Sequence, residues 1–311
     1  MSFAAMMLGG MVLDLALGWP GWLHARIGHP VTWLGAAISS LEHRLNTGTR
    51  PRRLGGGALT VVVVVVLAGL PALAIQRVLP GGWPGVALGA LCAWPLIALR
   101  SMHAHVADVA RPLQAGDLAG ARRAVSMIVG RDPARLDAPA VARAATESLA
   151  ENTSDGIVAP LVWGVLLGLP GIAAYKAINT MDSMIGHRTA RYEAFGKAAA
   201  RLDDAVNWLP ARLTGLLFAL VSRRPGRAAG VMWRDAPKHR SPNAGWPEGA
   251  MAGGLAIRLS GPRVYGAAVA REPWLNPGAP DPTPQDLARA LALYRRAMLL
   301  CGLALAGLAL L

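Results

Sequence analysis

Polar side chains of the types used in catalysis form four groups along this sequence, and each group adjoins an apolar stretch. In the first, residues 147–155, the acids Glu147, Glu151 and Asp155 recur at intervals of four. On a helix this spacing places the carboxylates on one face, where like charges repel by roughly 0.2–0.5 kcal/mol per pair. Mg²⁺ held by carboxylates and substrate phosphates would remove that repulsion. The group therefore predicts a magnesium–phosphate site with Asn152 beside it, although a solvated acidic helix end would have the same pattern.

The second group, residues 175–188, is the densest. Its polar members along or beside one predicted helical face are Lys176, Asn179, Asp182, Ser183, His187 and Arg188. Polar groups so close to a membrane segment are costly unless they bind something. Lysine and arginine suit phosphate oxygens and Asp182 suits a metal ion, so the group predicts a phosphate site. Polar packing between helices is the structural alternative.

Two weaker groups follow in the chain. Within residues 201–210, Arg201 precedes the adjacent acids Asp203 and Asp204, whose side chains would project about 100° apart on a helix. Residues 233–247 combine cations with turn-forming Pro and Gly, which suits an anion-binding loop but also an ordinary surface loop. The candidate contacts in that loop are Lys238, His239, Arg240, Ser241 and Asn243.

The composition indicates that much of the chain does not face water. Hydrophobic residues make up 53% of the 311 positions and charged residues only 16%, against about a quarter in a typical soluble domain. The net charge of +13 suits either nucleic-acid binding or cations held on the cytoplasmic side of a bilayer. Because the arginines are dispersed beside apolar stretches, without a basic helix or aromatic stacking pattern, we predict no nucleic-acid partner. The two cysteines lie in apolar runs without metal or redox spacing.

The elements that must position these groups are predicted to be helices of a polytopic, all-α membrane bundle. A helix of about 20 apolar residues crosses a bilayer. The predicted membrane segments are 1–17, 54–79, 81–99, 157–174, 205–221 and 297–311. Between them lie a polar helical insert at 100–155 and a polar loop at 222–296, all within a single membrane-embedded domain of residues 1–311. We place the chain in a bacterial inner membrane as a multi-pass protein.

Two of the late segments are predicted to be broken or re-entrant. Segment 157–174 contains a Gly-Leu-Pro-Gly sequence, and segment 205–221 contains Pro210 and Arg212. Loops 176–204 and 222–296 carry five and twelve Lys and Arg residues, so both cannot be cytoplasmic if 205–221 is a simple crossing. Irregular backbone is tolerated at membrane depth where it lines a protein cavity.

The four groups and their surroundings together resemble the CobD/CbiB family, the adenosylcobinamide-phosphate synthases. The matching stretches are residues 14–42 with His29-Pro30-Val31, then 147–161 (ESLAENTSDGIVAPL), 175–188 (YKAINTMDSMIGHR), 192–196, 201–214 (RLDDAVNWLPARLT) and 234–253. They cover nearly the whole chain in family order. Residues 50–146 and 270–311 are the variable parts.

The resemblance implies an enzyme that joins adenosylcobyric acid to (R)-1-aminopropan-2-ol phosphate, or a similar amino-alcohol phosphate, through an amide bond. It also implies ATP and Mg²⁺, a corrinoid substrate and a lipid bilayer around the protein. It leaves open a homo-oligomer or an assembly with other corrinoid-pathway enzymes.

Individual roles are our hypotheses from side-chain chemistry. The expected Mg²⁺ ligands are Glu147, Glu151, Asp155 and Asp182. The expected contacts to the transferring phosphate are Lys176, His187 and Arg188, and those to a second phosphate or to corrin side chains are Lys238, His239, Arg240 and Asn243. Further substrate contacts are expected from Asn152, Asn179, Ser183, Arg201 and Ser241.

Two other functions suit parts of the sequence. A Mg²⁺-dependent phospho-alcohol or prenyl transferase would bind a diphosphate through membrane acids, but no DxxxD or DGxxAR pattern is present. A transporter of a small anion would use intramembrane polar groups and broken helices, yet no internal repeat is visible. Nucleotide-binding and hydrolase motifs such as GxxxxGK[ST], GxGxxG, HExxH and GxSxG are also absent from the sequence.

Overall fold

The fold, in a computed structural model that describes residues 2–129, 132–265, 268–270 and 272–311, is built almost entirely from helices, so the predicted all-α class is confirmed. In chain order the helices are α1 (Phe3–Leu17), α2 (Gly21–Ile27), α3 (Pro30–Leu45), α4 (Arg50–Val78), α5 (Gly82–Ala93), α6 (Leu99–Gln114), α7 (Leu118–Val125), α8 (Ala138–Thr153), α9 (Ala159–Leu167), α10 (Leu169–Ile185), α11 (Lys197–Val206), α12 (Trp208–Val221), α13 (Pro225–Asp235), α14 (Gly245–Leu255) and α15 (Pro284–Leu310).

In the described part of the segment between α14 and α15, the structure has four short strands. They are β1 (Leu259–Ser260), β2 (Arg263–Tyr265), β3 (Ala268–Ala270) and β4 (Trp274–Leu275). Strand β1 pairs with β4, and β2 with β3, both in antiparallel register. The predicted polar loop 222–296 thus contains these two strand pairs, the helices α13 and α14, and the first part of α15. Helix α14 is rich in Gly and Ala and almost wholly buried, but its 11 residues are too few to cross a bilayer.

The chain forms two compact units, each discontinuous in sequence. The first comprises Met1–Ala98, Ala159–Asn207 and Ala304–Leu311, and the second comprises Leu99–Val158 and Trp208–Leu303. The first unit therefore holds the second and third polar groups up to Asn207. The second unit holds the first group and the loop that follows α13.

Among the described residues, three helices are long and apolar enough to cross a membrane, or four if one bent pair counts as a single span. They are Arg50–Val78, the run Gly82–Gln114 that includes α5 and α6, and Pro284–Leu310. At about 1.5 Å per residue, the 29 residues of α4 extend roughly 43 Å. Its valine-rich surface is open, with Val62 and Leu70 both 59% exposed, which is the pattern of a lipid-facing helix.

The bent pair consists of α1 and the segment Gly21–Leu45, which meet at 109°. Gly18 ends α1 with a φ of 58°, a left-handed conformation that glycine adopts without steric cost. His29 caps α3, because its Nδ1 accepts from the backbone N–H of Val31 at 3.2 Å. The sequence predicted broken or re-entrant helices at 157–174 and 205–221, and did not predict this bend between α1 and α3. The first of these segments is interrupted at Gly168 (φ 71°), where α9 gives way to α10.

The core of the first unit forms where α10 packs along α4, with α3 and α11 beside them. Its buried members are Ile38, Val64, Ala177, Ile178, Met181, Ile185, Phe195 and Ala199. The backbone of α4 at Gly57 approaches the backbone of Phe195, in the chain after α10, so closely that a Cβ on Gly57 would overlap the carbonyl oxygen of Phe195. Glycine at this point is therefore a packing requirement, and it sets the distance between α4 and the chain that follows α10.

We predict that Gly57→Ala destabilises the folded protein, because the added methyl group must displace backbone and overpacking costs about 1–3 kcal/mol. The thermal unfolding midpoint of purified protein in detergent measures this effect. Gly55→Ala is the matched control, since it lies in the same helix with nothing within 4 Å of its Cβ position. Its midpoint should stay or rise, because alanine favours helix by about 1 kcal/mol over glycine. Equal midpoints for both variants would contradict the close-approach argument.

Candidate functional site

The first polar group lies at the end of α8, where its acids differ sharply in environment. Glu147 is buried, and its Oε1 accepts the backbone N–H of Ser260 at 2.6 Å. Ser260 has a φ of 60°, an unfavourable conformation for serine that this buried contact helps to hold. Glu151 and Asn152 are exposed instead. The structure therefore gives Glu147 a structural contact and leaves Glu151 on the open side of the helix.

Asp155 lies within a single turn of π-helix, Ser154–Val158, that interrupts the regular helical hydrogen bonding. Such turns are uncommon and often occur at functional positions, because they alter the direction of nearby side chains. Asp155 is half-buried, whereas Ser154 and Gly156 on either side of it are buried. The extra residue in this turn means that the four-residue spacing predicted for Glu151 and Asp155 does not continue as one regular α-helical face.

The second polar group follows the sequence prediction for a helix, because α10 runs without a break from Leu169 to Ile185. Lys176, Asn179 and Asp182 are half-buried along it. Ser183 is exposed and its Oγ donates to the carbonyl of Asn179 at 2.9 Å. His187 and Arg188 lie just beyond the helix and are exposed. This group therefore passes from a half-buried interior to an open, cationic end.

Helix α11 places Asp203 and Asp204 beside Asp182, which the sequence indicated only weakly. Burial, followed by repulsion from Asp182, raises the pKa of Asp203 to about 7. Burial and the neighbouring charge of Asp204 raise the pKa of Asp182, although His187 acts in the opposite direction. Burial also raises the pKa of Asp204, while Arg201 and Arg188 lower it. These three carboxyls form one interacting group, which we call the aspartate group.

A buried hydrogen-bond chain holds the aspartate group from one side. The hydroxyl of Tyr175 donates to the amide oxygen of Asn207 at 2.8 Å. The amide nitrogen of Asn207 then donates to Oδ2 of Asp203 at 2.9 Å. Asn179 also acts on Asp203 as a donor and lowers its pKa, in opposition to burial. Asp203 is consequently fixed in orientation, whereas Asp182 and Asp204 are less buried, and Asp204 interacts with Arg201 and Arg188.

The fourth polar group, after α13, is tied together by internal contacts. Asp235 is fully buried and pairs with Arg234 at 2.6 Å and Lys238 at 2.7 Å, while the N–H of Asn276 donates to it at 2.9 Å. Burial alone would raise the pKa of Asp235, but these donors hold it well below its usual range. Arg240 lies 3.4 Å from Glu272. The side chains of Lys238 and Arg240 are at least half exposed, and each already has a carboxylate partner.

His239 is buried in the same turn, and both of its ring nitrogens face internal groups. Its Nδ1 lies 3.1 Å from the backbone nitrogen and 3.3 Å from the carbonyl oxygen of Ser241. Nε2 lies 3.7 Å from Glu248 of α14. The Oγ of Ser241 accepts from the backbone N–H groups of Asn243 and Ala244. His239 and Ser241 thus shape the turn in this structure.

Arg212 was not selected from the sequence as a site residue, yet it is the most enclosed cation near this turn. Its guanidinium lies 4.3 Å from the ring centroid of Trp208 and 4.4 Å from that of Trp246. It also donates to the side-chain oxygen of Asn243 at 3.3 Å. The spacing of Trp208 and Arg212, one helical turn apart on α12, is the signal that could have identified this pair.

Within the described residues, no three His, Cys, Asp or Glu side chains come close enough together to bind a metal ion by themselves. The predicted Mg²⁺ ligands Glu147, Glu151 and Asp155 belong to the second unit, and Asp182 belongs to the first. Magnesium commonly uses only one or two carboxylates and completes its octahedron with water and phosphate oxygens. The four-ligand set stays a prediction.

The family model described as CobD/Cbib protein matches residues 7–294 of the chain. The chain therefore belongs to the CobD/CbiB family, as its motifs predicted. No solved structure matches it.

Similar curated proteins share the name Cobalamin biosynthesis protein CobD. The protein of Rhodobacter capsulatus is 67% identical over 298 residues, which cover 96% of this chain and 95% of the relative. The protein of Brucella suis biovar 1 is 48% identical, with 96% and 94% covered. The protein of a Sinorhizobium species is 46% identical, with 91% of each chain covered. This chain is thus similar to full-length members of the family and not only to a fragment of them.

The aspartate group predicts a specific pH dependence of stability. The pKa of Asp203 in the folded protein, about 7, lies above the value of about 3.9 for an unfolded aspartate. The folded state therefore binds more protons between these values, and the free energy of unfolding falls as the pH rises from about 4 to 7. We expect the unfolding midpoint, measured in detergent without divalent cations, to be higher at pH 5 than at pH 8.

Asp203→Asn should weaken this dependence, because asparagine resembles the protonated carboxyl and does not titrate. Asp108→Asn is the control, since Asp108 is an exposed residue of α6 paired with Arg111. It should keep the wild-type dependence. A dependence in Asp203→Asn as steep as that of the wild-type protein would show that another group is responsible.

Proposed function

We propose that this protein is a membrane-embedded ligase of cobalamin biosynthesis. It joins adenosylcobyric acid to (R)-1-aminopropan-2-ol phosphate, or a close amino-alcohol phosphate, with cleavage of ATP, and yields adenosylcobinamide phosphate. The apolar helices and the cationic loops support placement in a bacterial inner membrane. The observation that favours phosphate chemistry most is the aspartate group with Arg188 and Arg201 beside it, in a chain of the CobD/CbiB family.

The chemistry requires activation, because a carboxylate is a poor acylating agent. An oxygen of the corrinoid carboxylate would attack the γ-phosphorus of ATP, so that an acyl phosphate forms and ADP leaves. The amine would then attack the acyl carbon, lose a proton, and expel inorganic phosphate. Both steps gather negative charge, so catalysis would depend on positioning and on neutralising that charge.

The half-buried and exposed residues are the best candidates for contact with substrates. Lys176, His187 and Arg188 of the first unit suit the oxygens of the transferring phosphate. The residues proposed to contact a second phosphate or corrin side chains are Lys238, His239, Arg240 and Asn243, of which Lys238 and Arg240 are exposed and the side chains of His239 and Asn243 are buried. Asn152, Asn179, Ser183, Arg201 and Ser241 remain candidates for further polar contacts.

Magnesium fits the chemistry of the carboxylates, which are hard oxygen donors. Asp182 in the first unit is half-buried beside other carboxyls, where a bound cation would offset their repulsion. In the second unit, Glu151 and Asp155 are more accessible than Glu147, which already accepts a backbone N–H. When bound, Mg²⁺ would supply charge neutralisation for the phosphates, and these carboxylates would orient it.

The test is incubation of the purified protein with adenosylcobyric acid, aminopropanol phosphate and Mg-ATP, followed by mass spectrometry. We expect adenosylcobinamide phosphate, with ADP and inorganic phosphate formed in equal amounts. Glu151→Gln and Lys176→Ala should each lower product formation by about a hundredfold or more, as the loss of an electrostatic contact in a transition state does. Both variants should remain folded in detergent.

Matched controls separate this result from a general charge effect. Asp108→Asn and Lys197→Ala remove the same kinds of charge at exposed positions outside the family motifs. Both should retain wild-type turnover. Near-normal turnover in both Glu151→Gln and Lys176→Ala would remove the proposed roles. Failure of the wild-type protein to consume ATP with these substrates would remove the proposed reaction.

A further inference from the structure

A basic cavity of about 430 Å³ lies within the second unit, outside the four polar groups. Arg223 and Arg224, which follow α12, line one side of it. Arg289 and Arg296, seven positions apart and therefore on one face of α15, line another. Leu255 at the end of α14 and Ile257 just after it also line the cavity but are almost wholly buried, and Asp286 of α15 adds a carboxylate. The cavity thus combines four guanidinium groups with one carboxylate.

The positive charge of this cavity is only partly neutralised by the protein. Arg289 pairs with Asp286 and also donates to the backbone carbonyl of Leu255 at 3.0 Å. Within the ranges that the structure describes, Arg223, Arg224 and Arg296 form no ion pair. Unpaired arginines that converge on a concave surface favour an anion with several oxygens, because guanidinium binds phosphate through two parallel hydrogen bonds.

The same arginines lie where apolar helix surface ends. Leu220 of α12 is 65% exposed and comes three residues before Arg223. Leu299 and Leu303 of α15 are 65% and 61% exposed and follow Arg296, in a helix long and apolar enough to cross a membrane. Exposed leucines belong in the hydrocarbon layer, and adjacent arginines reach the headgroup level. With α15 crossing the bilayer, the cavity would open at the depth where lipid phosphates lie.

We propose that this cavity binds the phosphate of an anionic phospholipid. The guanidinium groups of Arg223, Arg224 and Arg296 hold the phosphate, and the exposed leucines beside them, Leu220, Leu299 and Leu303, contact the apolar part of the lipid. The site is separate from the residues proposed for ligation, so its occupancy does not depend on the reaction that the protein catalyses.

Native mass spectrometry of the full chain, released from detergent micelles containing phosphatidylglycerol or phosphatidylcholine, tests the proposal. The wild-type protein should retain phosphatidylglycerol in preference to phosphatidylcholine. Arg223→Gln/Arg296→Gln should lower the apparent affinity for phosphatidylglycerol roughly thirtyfold, since each arginine near an anionic surface contributes about fivefold. Arg295→Gln is the matched control, because Arg295 is exposed on α15 but does not line the cavity.

The charge-conserving variant Arg223→Lys/Arg296→Lys guards against a folding defect, and because it keeps the charge but loses the paired hydrogen bonds, its affinity should lie between those of the wild type and the double glutamine variant. Equal retention of the two lipids by the wild-type protein would overturn the proposal, as would unchanged retention in the double glutamine variant. Millimolar inorganic phosphate is the competing ligand. Should it bind to the wild-type protein and displace phosphatidylglycerol fully, the cavity is a site for free phosphate and the lipid assignment is wrong.

Discussion

Charged and polar groups removed from water must find partners inside the protein, and this constraint governs how the family motifs of this chain are held. Asp235 is fully buried and satisfies the requirement with two cations and a backbone N–H. Glu147 satisfies it with the N–H of Ser260. Asp203 does so through Asn207 and by taking up a proton more readily than an exposed aspartate. Each solution fixes a different loop or helix end, so the polar residues of this membrane protein organise its irregular segments.

Close backbone packing is the second constraint, and it allows those polar residues to be placed accurately. Gly57 of α4 admits the carbonyl of Phe195, and Gly196 similarly lies against the carbonyl of Ile185. Small residues at helix contacts bring backbones together where lipid offers no hydrophobic driving force between helices. The end of α10 and the start of α11 are therefore held at short range. This proximity brings Asp182 close to Asp203 and Asp204.

The sequence predicted the elements that depend on local composition. The valine run 61–66 marks α4, and the spacing of polar residues 175–188 marks α10 as one helix. Environments that depend on distant contacts were not predictable in this way. The buried Glu147 accepts a hydrogen bond from Ser260, which lies 113 positions further along the chain. Helix α14 was not predicted, because its Gly-Ala sequence lacks helical periodicity. The sequence offered only weak grounds for choosing Asp203 as a site residue, because its environment forms only when α10 and α11 pack together.

Exposure separates two kinds of acid within the same motifs. Glu147 and Asp203 are enclosed and bonded to neighbouring groups, so any change in their charge would disturb the fold around them. Glu151 is exposed, although it lies only four residues after Glu147. Asp182 is half-buried, although it interacts with the buried Asp203. A cation and a proton compete for the same carboxylate oxygens, so the raised pKa of Asp182 would make the cation binding that we propose for it depend on pH. Enclosed acids therefore hold the scaffold, and the accessible acids are the ones that we propose to meet the ligand.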